Sequence, residues 1–218
     1  MNIKVDIWSD VMCPFCYIGK RKFEKALEHY KYKNQVEVEW HSYQLDPDLN
    51  PPPGVNVYDY LAQRKRITQQ ESVRMHEQVT KLAASVGLIY NFDKAVVANS
   101  FNAHRLLQLA KTKGLGSQME EELFKAYFTE GKNTGDPTIL HELGINVGLL
   151  ENELKEMLNG NAYTEKIKED EARAREIGLR GVPFFLLDNK YVISGAQDSS
   201  LFLQALNQLS AEKGITTI

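Results

Sequence analysis

The sequence predicts an α/β fold in which a parallel β–α–β unit is followed by a long helical segment before the chain returns to the sheet. Residues 3–8 form an apolar run typical of a buried strand, and residues 14–32 have the apolar spacing of an amphipathic helix. Residues 36–40 alternate between apolar and polar side chains, which predicts a second strand reaching about residue 43. Two strands joined through a long helix are expected to lie parallel in one sheet.

The segment from residue 56 to residue 161 is nearly free of strand patterns. It follows a loop at residues 45–54 that holds four of the seven prolines. We therefore predict a discontinuous α/β domain, residues 1–55 and 162–218, and an inserted all-helical cap domain, residues 56–161. Helices within the cap are predicted at residues 58–66, 71–86, 100–113, 118–128, 138–147 and 150–158.

The last part of the chain returns to the sheet. A highly charged helix is predicted at residues 163–177, and an apolar strand at residues 182–187. A tight turn at residues 188–190 leads to a partner strand at residues 191–194, which predicts a hairpin. An amphipathic helix at residues 199–209 completes the domain.

Composition excludes several classes of protein. The chain has 218 residues, 43% of them apolar and 25% charged, as in an ordinary globular protein. A net charge of −3 and a pI near 6.0 give no basis for nucleic acid or an anionic membrane as a partner. The first residues lack the basic start and apolar core of a signal peptide, so a cytoplasmic location is expected.

Both cysteines, Cys13 and Cys16, lie where the first strand gives way to the first helix. The first turn of a helix has unpaired backbone N–H groups, and Pro14 fits its first position because a missing N–H costs nothing there. A thiol at that position loses its proton more readily than a free thiol. The spacing therefore predicts a redox pair, with Cys13 as the exposed nucleophile and Cys16 as the resolving thiol one turn later.

Two other interpretations of the cysteines are a zinc half-site and a pair of inert structural thiols. A structural zinc site needs four ligands, and the five histidines are scattered without ligand spacing. A strand–CxxC–helix context is the redox pattern. We therefore expect no metal site.

Three further residues near the pair have candidate roles. Asp6 lies in the apolar first strand and is either a proton relay to Cys16 or an ordinary polar strand residue. Asp10 is expected to order the turn by bonding backbone N–H groups. Pro183 either begins the returning strand or follows a cis Val182–Pro183 bond, which would leave the backbone of Val182 free to pair with a substrate peptide.

Five motifs stand in order along the chain: SDVMCPFCYIGK at residues 9–20, SFNAHR at residues 100–105, AYF at residues 126–128, GDP at residues 135–137 and GVPFF at residues 181–185. Together they resemble the DsbA-like oxidoreductases of the thioredoxin superfamily, in particular the FrnE-like branch. The resemblance implies a thioredoxin-like fold with a large inserted helical subdomain and thiol–disulfide exchange as the activity. It implies that Cys13 attacks, Cys16 resolves and Pro183 is a cis-proline facing them.

The resemblance also implies that the cap covers the cysteine pair and lines a substrate groove. Pro14, Phe15 and Val182 are then the candidate substrate contacts on the α/β domain, and His104 is the candidate on the cap. Phe15 departs from the family pattern, since many members of the branch have Trp there and DsbA has His. Residues between the cysteines help to set the redox potential, so the resemblance implies no direction of electron flow.

Three functions compete at this stage. The first is a disulfide oxidoreductase acting on thiol- or disulfide-containing proteins or small molecules, with the Cys13–Cys16 disulfide as its only redox group and glutathione as a candidate co-substrate. The second is a glutathione-dependent isomerase or kappa-type transferase on the same fold. Such enzymes typically carry Ser at the active thiol and lack the second cysteine, so Cys16 argues against this reading. The third is a binding or chaperone module that uses the groove alone.

Overall fold

The computed structural model describes residues 2–52 and 54–215. In this part of the chain the strands form one four-stranded sheet with the order β2-β1-β3-β4. The first two strands are parallel, as predicted, and β3 is antiparallel to both β1 and β4. The strands are β1 Ile3–Ser9, β2 Val36–Ser42, β3 Phe184–Leu187 and β4 Tyr191–Ser194.

Helices follow the predicted order, with most ends shifted by one or two residues. All those between β2 and β3 except α8 belong to the predicted cap, and the domain boundaries themselves stay a prediction. The helices are α1 Pro14–His29, α2 Val57–Lys65, α3 Gln69–Ala84, α4 Phe101–Thr112, α5 Gly116–Phe124, α6 Pro137–Asn146, α7 Glu151–Asn159, α8 Thr164–Glu176 and α9 Ser199–Lys213.

Three predicted elements differ from the observed ones. The helix predicted at residues 118–128 is α-helical only to Phe124 and continues as a π-helix over Lys125–Glu130. The first helix ends at His29 rather than at residue 32, because a 3-10 turn at Lys33–Gln35 leads into β2. The strand predicted from residue 182 starts only after Pro183, which has no N–H to donate to a neighbouring strand.

The two faces of the sheet carry different layers. Ile7 and Phe185 are paired across β1 and β3, and on this face Phe185 packs against Phe23 of α1 and Phe202 of α9. Trp8 points to the opposite face, into a small cluster with Ala174 of α8. Because side chains alternate along a strand, each residue of β1 belongs to one layer only. This alternation decides which residues of β1 reach the helix that carries the cysteines.

The cap is joined to α1 through an aromatic stack. The Tyr17 ring stacks on Phe124 with centroids 4.9 Å apart, and Tyr90 stacks on Phe128 at 4.6 Å. The Tyr17 hydroxyl donates a hydrogen bond of 2.6 Å to Glu121. These contacts hold α5 and the π-helix directly against the helix that begins at the cysteine pair. None of the described helices is both long and apolar enough to cross a membrane.

Candidate active site

The turn between β1 and α1 is held by Asp10, as predicted. One carboxylate oxygen accepts the N–H of Met12 at 3.3 Å and the other accepts the N–H of Leu45 at 2.7 Å. The backbone carbonyl of Asp10 accepts the N–H of Cys13 at 2.9 Å. Cys13 is the N-cap residue of α1, and Pro14 occupies the first helical position. The fully buried Asp10 thus fixes the place at which the chain delivers the first thiol.

The two thiols lie together beneath the surface. Cys13 is only 4% exposed, so the expectation of an exposed nucleophile is wrong, and Cys16 is 1% exposed. The Cys13 thiol donates to the carbonyl of Val182 with Sγ and O 3.6 Å apart, and the Val182–Pro183 peptide bond is cis. Burial, together with a hydrogen bond to Cys13, raises the pKa of the Cys16 thiol well above its usual value. Cys16 therefore stays protonated unless a base accepts its proton.

A groove of about 420 Å³ opens above Cys13. Pro14, Phe15 and Val182 line its α/β side, so three of the four predicted substrate contacts meet at one cavity. Helices α2 and α3 of the cap form the other side. A larger depression of about 840 Å³ lies between the proline-rich loop and residues 93–102 and contains neither cysteine.

The walls of the groove are mostly apolar, and its rim is basic. Phe15, Met75 and Leu82 are 45%, 38% and 49% exposed, which is high for large apolar side chains. Lys65 of α2 brings a positive charge to the rim, whereas the guanidinium of Arg64 beside it is ion-paired with Asp46. The groove therefore suits an extended apolar ligand with an anionic end.

His104 lies outside this groove, which corrects its predicted role in substrate binding. Its side chain is fully buried, and its Nε2 is 3.4 Å from the Asp10 carboxylate. Burial lowers the pKa of His104, but the Asp10 carboxylate outweighs that effect and the pKa is raised. A buried imidazole offers no surface to a substrate, so His104 is a charge partner inside the protein.

Asp6 does not reach the cysteine pair either. It lies on the α8 face of the sheet, where His41 contacts Asp6 at 2.7 Å through Nε2 and Asp170 at 2.9 Å through Nδ1. The groups that act on Cys16 are Cys13, the Ser9 hydroxyl and the backbone of Asp10. Asp6 and Cys16 are separated because β1 sends its even-numbered side chains away from α1. The proton-relay interpretation of Asp6 is therefore wrong.

Glu120 of α5 lies close to the site but was not predicted from the sequence as a site residue. It is completely buried, and its Oε1 accepts a hydrogen bond of 2.5 Å from the Ser9 hydroxyl. Burial raises the pKa of Glu120 to about 7. In the sequence it belongs to an acidic run that looks like a solvated face. Its spacing of four residues to Phe124 was the signal that it lies on the buried stripe of α5.

One group of side chains in the described residues has metal-like spacing. Ligand atoms of Asp6, Glu39 and His41 all lie within 4.8 Å of one another. The Lys4 ammonium lies 2.9 Å from Asp6 and 2.7 Å from Glu39. Lys4 supplies the positive charge that these carboxylates require, so the group forms an ion-pair network.

Comparison with known proteins identifies the family to which the chain belongs. The sequence matches the DSBA-like thioredoxin domain over residues 4–207, and the chain belongs to that family. The crystal structure of a probable DsbA oxidoreductase from Streptomyces coelicolor has 33% identity and a TM-score of 0.90, covering 100% of this chain and 92% of that one. Assignment to the FrnE-like branch stays a prediction from the five motifs.

Two further relatives match almost the whole chain. YwbO of Bacillus subtilis (strain 168), described as an uncharacterized protein, is 28% identical over 216 residues, which are 98% of this chain and 100% of that protein. Cytosolic disulfide reductase DsbM from Pseudomonas aeruginosa has 18% identity and a TM-score of 0.67, covering 98% of this chain and 100% of that one. At this identity the similarity to DsbM shows a shared fold.

Proposed function

We propose that the protein is a thiol–disulfide oxidoreductase that works through Cys13 and Cys16. The Cys13 thiolate attacks one sulfur of a substrate disulfide, a mixed disulfide forms and the other substrate thiolate leaves. The Cys16 thiolate then attacks the Cys13 sulfur, and the second substrate thiolate leaves as the Cys13–Cys16 bond forms. Two electrons pass from the protein to the substrate, and oxidation of a dithiol substrate is the same sequence in reverse.

The observation that carries this proposal is the position of Cys13 between the groove and Cys16. Cys13 borders the cavity, so it is the sulfur that a substrate meets. Cys16 is 1% exposed and interacts with Cys13 on the buried side, where it is protected from substrates but able to attack a disulfide at Cys13. The Val182 carbonyl beside Cys13, in a segment ahead of β3, supports backbone pairing with a bound peptide.

We propose disulfides with an apolar segment and an anionic group as substrates, in a cytoplasmic setting. Phe15, Met75 and Leu82 offer the apolar contact, and Lys65 offers a positive charge. Glutathione, an anionic tripeptide thiol, fits this description as a co-substrate. A cytoplasmic setting is supported by the reported cytosolic role of DsbM.

The order of attack is tested with Cys13→Ser and Cys16→Ser. We expect Cys13→Ser to abolish reduction of an insulin-type disulfide substrate, because the groove then presents a hydroxyl in place of the attacking sulfur. Cys16→Ser is expected to retain the first step and accumulate a mixed disulfide, which mass spectrometry detects as a covalent adduct. Reduction that survives Cys13→Ser would contradict the proposal, and absence of an adduct on Cys16→Ser would contradict the order of attack.

The second candidate is a glutathione-dependent isomerase or transferase. The positive charge at the rim of the groove favours it, because Lys65 suits a carboxylate of glutathione as well as one of a disulfide substrate. Glutathione activation requires only one thiol, so such an activity would be the same in wild type and Cys16→Ser. A conjugation rate that does not change on loss of Cys16 would favour this candidate over disulfide exchange.

A further inference from the structure

Behind the cysteine pair lies a buried polar pair that the exchange reaction described above does not use. Ser9 at the end of β1 and Glu120 of α5 are both fully buried, and the Ser9 hydroxyl donates to Glu120 Oε1 at 2.5 Å. The second carboxylate oxygen, Oε2, has no hydrogen-bond partner among the described residues. Burying a carboxyl group with one oxygen unpaired is costly, so its retention requires an explanation.

Ser9 connects this carboxyl group to the resolving thiol. Its side chain points to the α1 face of the sheet, as that of Ile7 does, because residues two apart on a strand share a face. There the Ser9 side chain is one of the groups that lower the pKa of the Cys16 thiol, which places it beside that thiol. A hydroxyl has one proton to donate and lone pairs to accept with, so it can receive from a thiol while it donates to a carboxylate. Ser9 therefore lies between the Cys16 thiol and Glu120, and it is hydrogen-bonded to the Glu120 carboxylate.

The resolving step needs a route by which the proton of Cys16 can leave. Cys16 must become a thiolate before it attacks the mixed disulfide, since the thiolate is the nucleophile. Burial and the neighbouring Cys13 raise the pKa of Cys16, and a side chain that is 1% exposed has almost no access to solvent water as a base. An internal acceptor is the alternative to opening the structure.

We propose that Glu120, acting through Ser9, accepts the proton that Cys16 loses as it attacks the mixed disulfide. The Cys16 proton passes to the Ser9 oxygen while the Ser9 proton passes to the Glu120 carboxylate. The electron pair of the Cys16 sulfur forms the bond to Cys13, and the pair of the broken Cys13–substrate bond leaves with the substrate sulfur. In the reverse direction protonated Glu120 returns the proton to Cys16. The inference rests on the proposed function and assigns the inserted cap a part in it.

The charges around Glu120 suit a proton acceptor at neutral pH. Burial raises the pKa of Glu120 most, the Ser9 hydrogen bond and the positive charges of His104 and Lys20 lower it, and Asp10 raises it, which leaves the pKa at about 7. Beyond these, Glu171 of α8 faces His104, and Tyr90 of the cap faces both thiols.

The test uses 5,5′-dithiobis(2-nitrobenzoate), which separates the two attacks. Reduced protein releases one coloured thionitrobenzoate when Cys13 attacks, in a phase whose rate depends on reagent concentration. It releases a second when Cys16 resolves the adduct, in a phase that does not. For wild type we expect the second phase to accelerate with pH, with an inflection near 7 set by ionisation of Glu120.

We expect Glu120→Gln to leave the first phase nearly unchanged and to slow the second about a hundredfold or more at pH 7, the usual size of a general-base effect. Its inflection near 7 should disappear, while Gln keeps the shape of the side chain and a hydrogen bond to Ser9. Ser9→Ala should have a similar effect by breaking the path, and the double variant should add little. Glu122→Gln on the same helix is the matched control, with no expected change.

Each outcome has a definite meaning. If both phases of Glu120→Gln and Ser9→Ala match wild type across the pH range, the proposed path is wrong while the redox function stands. A second phase that is slow but keeps its inflection near 7 also overturns the path, because it indicates a purely structural effect. If Cys16→Ser still releases a second thionitrobenzoate, the proposed function itself fails. Circular dichroism of each variant confirms that the rates are those of folded protein.

Discussion

His41 of β2 is a buried histidine that contacts two buried carboxylates. It lies between the Asp6 and Asp170 carboxylates, is 8% exposed and stacks on the Trp8 ring with centroids 4.5 Å apart. Burial lowers the pKa of His41, but the hydrogen bonds to Asp170 and Asp6 outweigh burial and raise it. Burial likewise raises the pKa of each carboxyl group, and the His41 contact outweighs it, so both are lowered. The three groups therefore keep one another charged.

Replacing His41 with Gln is expected to destabilise the fold. Two buried carboxylates lose the cation they share, and removing one member of a buried ion pair typically costs about 3 kcal/mol or more. We expect urea denaturation at pH 6 to show a loss of about that size in the free energy of unfolding. His29→Gln is the control, because His29 is exposed at the end of α1. Equal losses for the two variants would contradict the role of the network.

The stability that His41 contributes should depend on pH with a definite sign. Its folded pKa is raised above about 6.5, so the contribution is complete below that pH and is lost as pH rises through the folded pKa. Asp6 and Asp170 have lowered pKa values, so their contribution is present above about 3.9 and is lost as pH falls through the folded values. The difference between wild type and His41→Gln should thus be largest between about pH 4 and 6.5. A difference that grows above pH 8 would contradict this assignment.

At this scale, the sequence predicted residues whose role depends on near neighbours in the chain. Cys13, Cys16, Pro14 and Asp10 all lie within one strand-to-helix turn, whose capping rules can be read locally. Glu120 could not be predicted as a partner of Ser9, because that contact joins residues 111 positions apart.

At the scale of elements, Glu121 links the cap to the helix that carries the cysteines. Its carboxylate accepts from Lys20 at 2.6 Å and from Tyr17 at 2.6 Å, and it is also paired with Arg21. Burial raises the pKa of Glu121, but hydrogen bonds to Arg21, Lys20 and Tyr17 outweigh it and lower the pKa to about 2. The Lys20 side chain is only 5% exposed, so its charge depends on such partners.

Glu121→Gln is expected to lower the free energy of unfolding by about 2 kcal/mol at pH 7. Lys20 and Arg21 of α1 both contact the Glu121 carboxylate, and the substitution removes its negative charge. Because the pKa of Glu121 is lowered, its contribution is present above about 4.3 and fades only as pH falls toward 2. The loss measured by denaturant unfolding should therefore be the same at pH 5 and pH 8. Glu122→Gln, one residue further along α5, is the control, and an equal loss there would contradict the link.

Element order and type could be predicted because each helix and strand has a local apolar period, which the sequence displays. The ends of helices and strands also depend on tertiary contacts, which the local apolar period does not encode. The predicted helix at residues 118–128 widens into a π-helix at Lys125, where Phe128 stacks on Tyr90 from a distant loop. Strand β3 begins two residues later than predicted, after Pro183, although the sequence already shows that Pro183 has no N–H to donate.

At the scale of the whole molecule, the groove exists only because the cap and the α/β domain meet. Phe15 and Val182 lie in the predicted α/β domain, and Met75 and Leu82 lie in the predicted cap. The sequence predicted a cap over the cysteines only through the resemblance to known proteins, because no local pattern states where an inserted helical segment will pack. The positive charge at the rim was likewise not predictable, since Lys65 looks like an ordinary charge at the end of a surface helix.

Lys65 provides a test of whether the position of charge, rather than its total, governs substrate binding. The protein carries a net charge of −3, which Lys65→Glu changes to −5 because an anion replaces a cation. Lys31→Glu makes the same change at an exposed site near the end of α1, away from the residues that line the groove. A general repulsion of anionic substrates would affect the two variants equally, whereas a local interaction at the rim would affect Lys65→Glu alone.

We expect Lys65→Glu to raise KM for oxidised glutathione several-fold at low salt, with a smaller effect at about 0.5 M salt, where exposed charges are screened over a few ångströms. The rate with neutral hydroxyethyl disulfide should stay the same, because Cys13 and Cys16 are untouched. Lys31→Glu should match wild type with both disulfides. Equal rises in KM for the two variants would assign the effect to net charge, and no rise for either would show that the rim charge does not select the substrate.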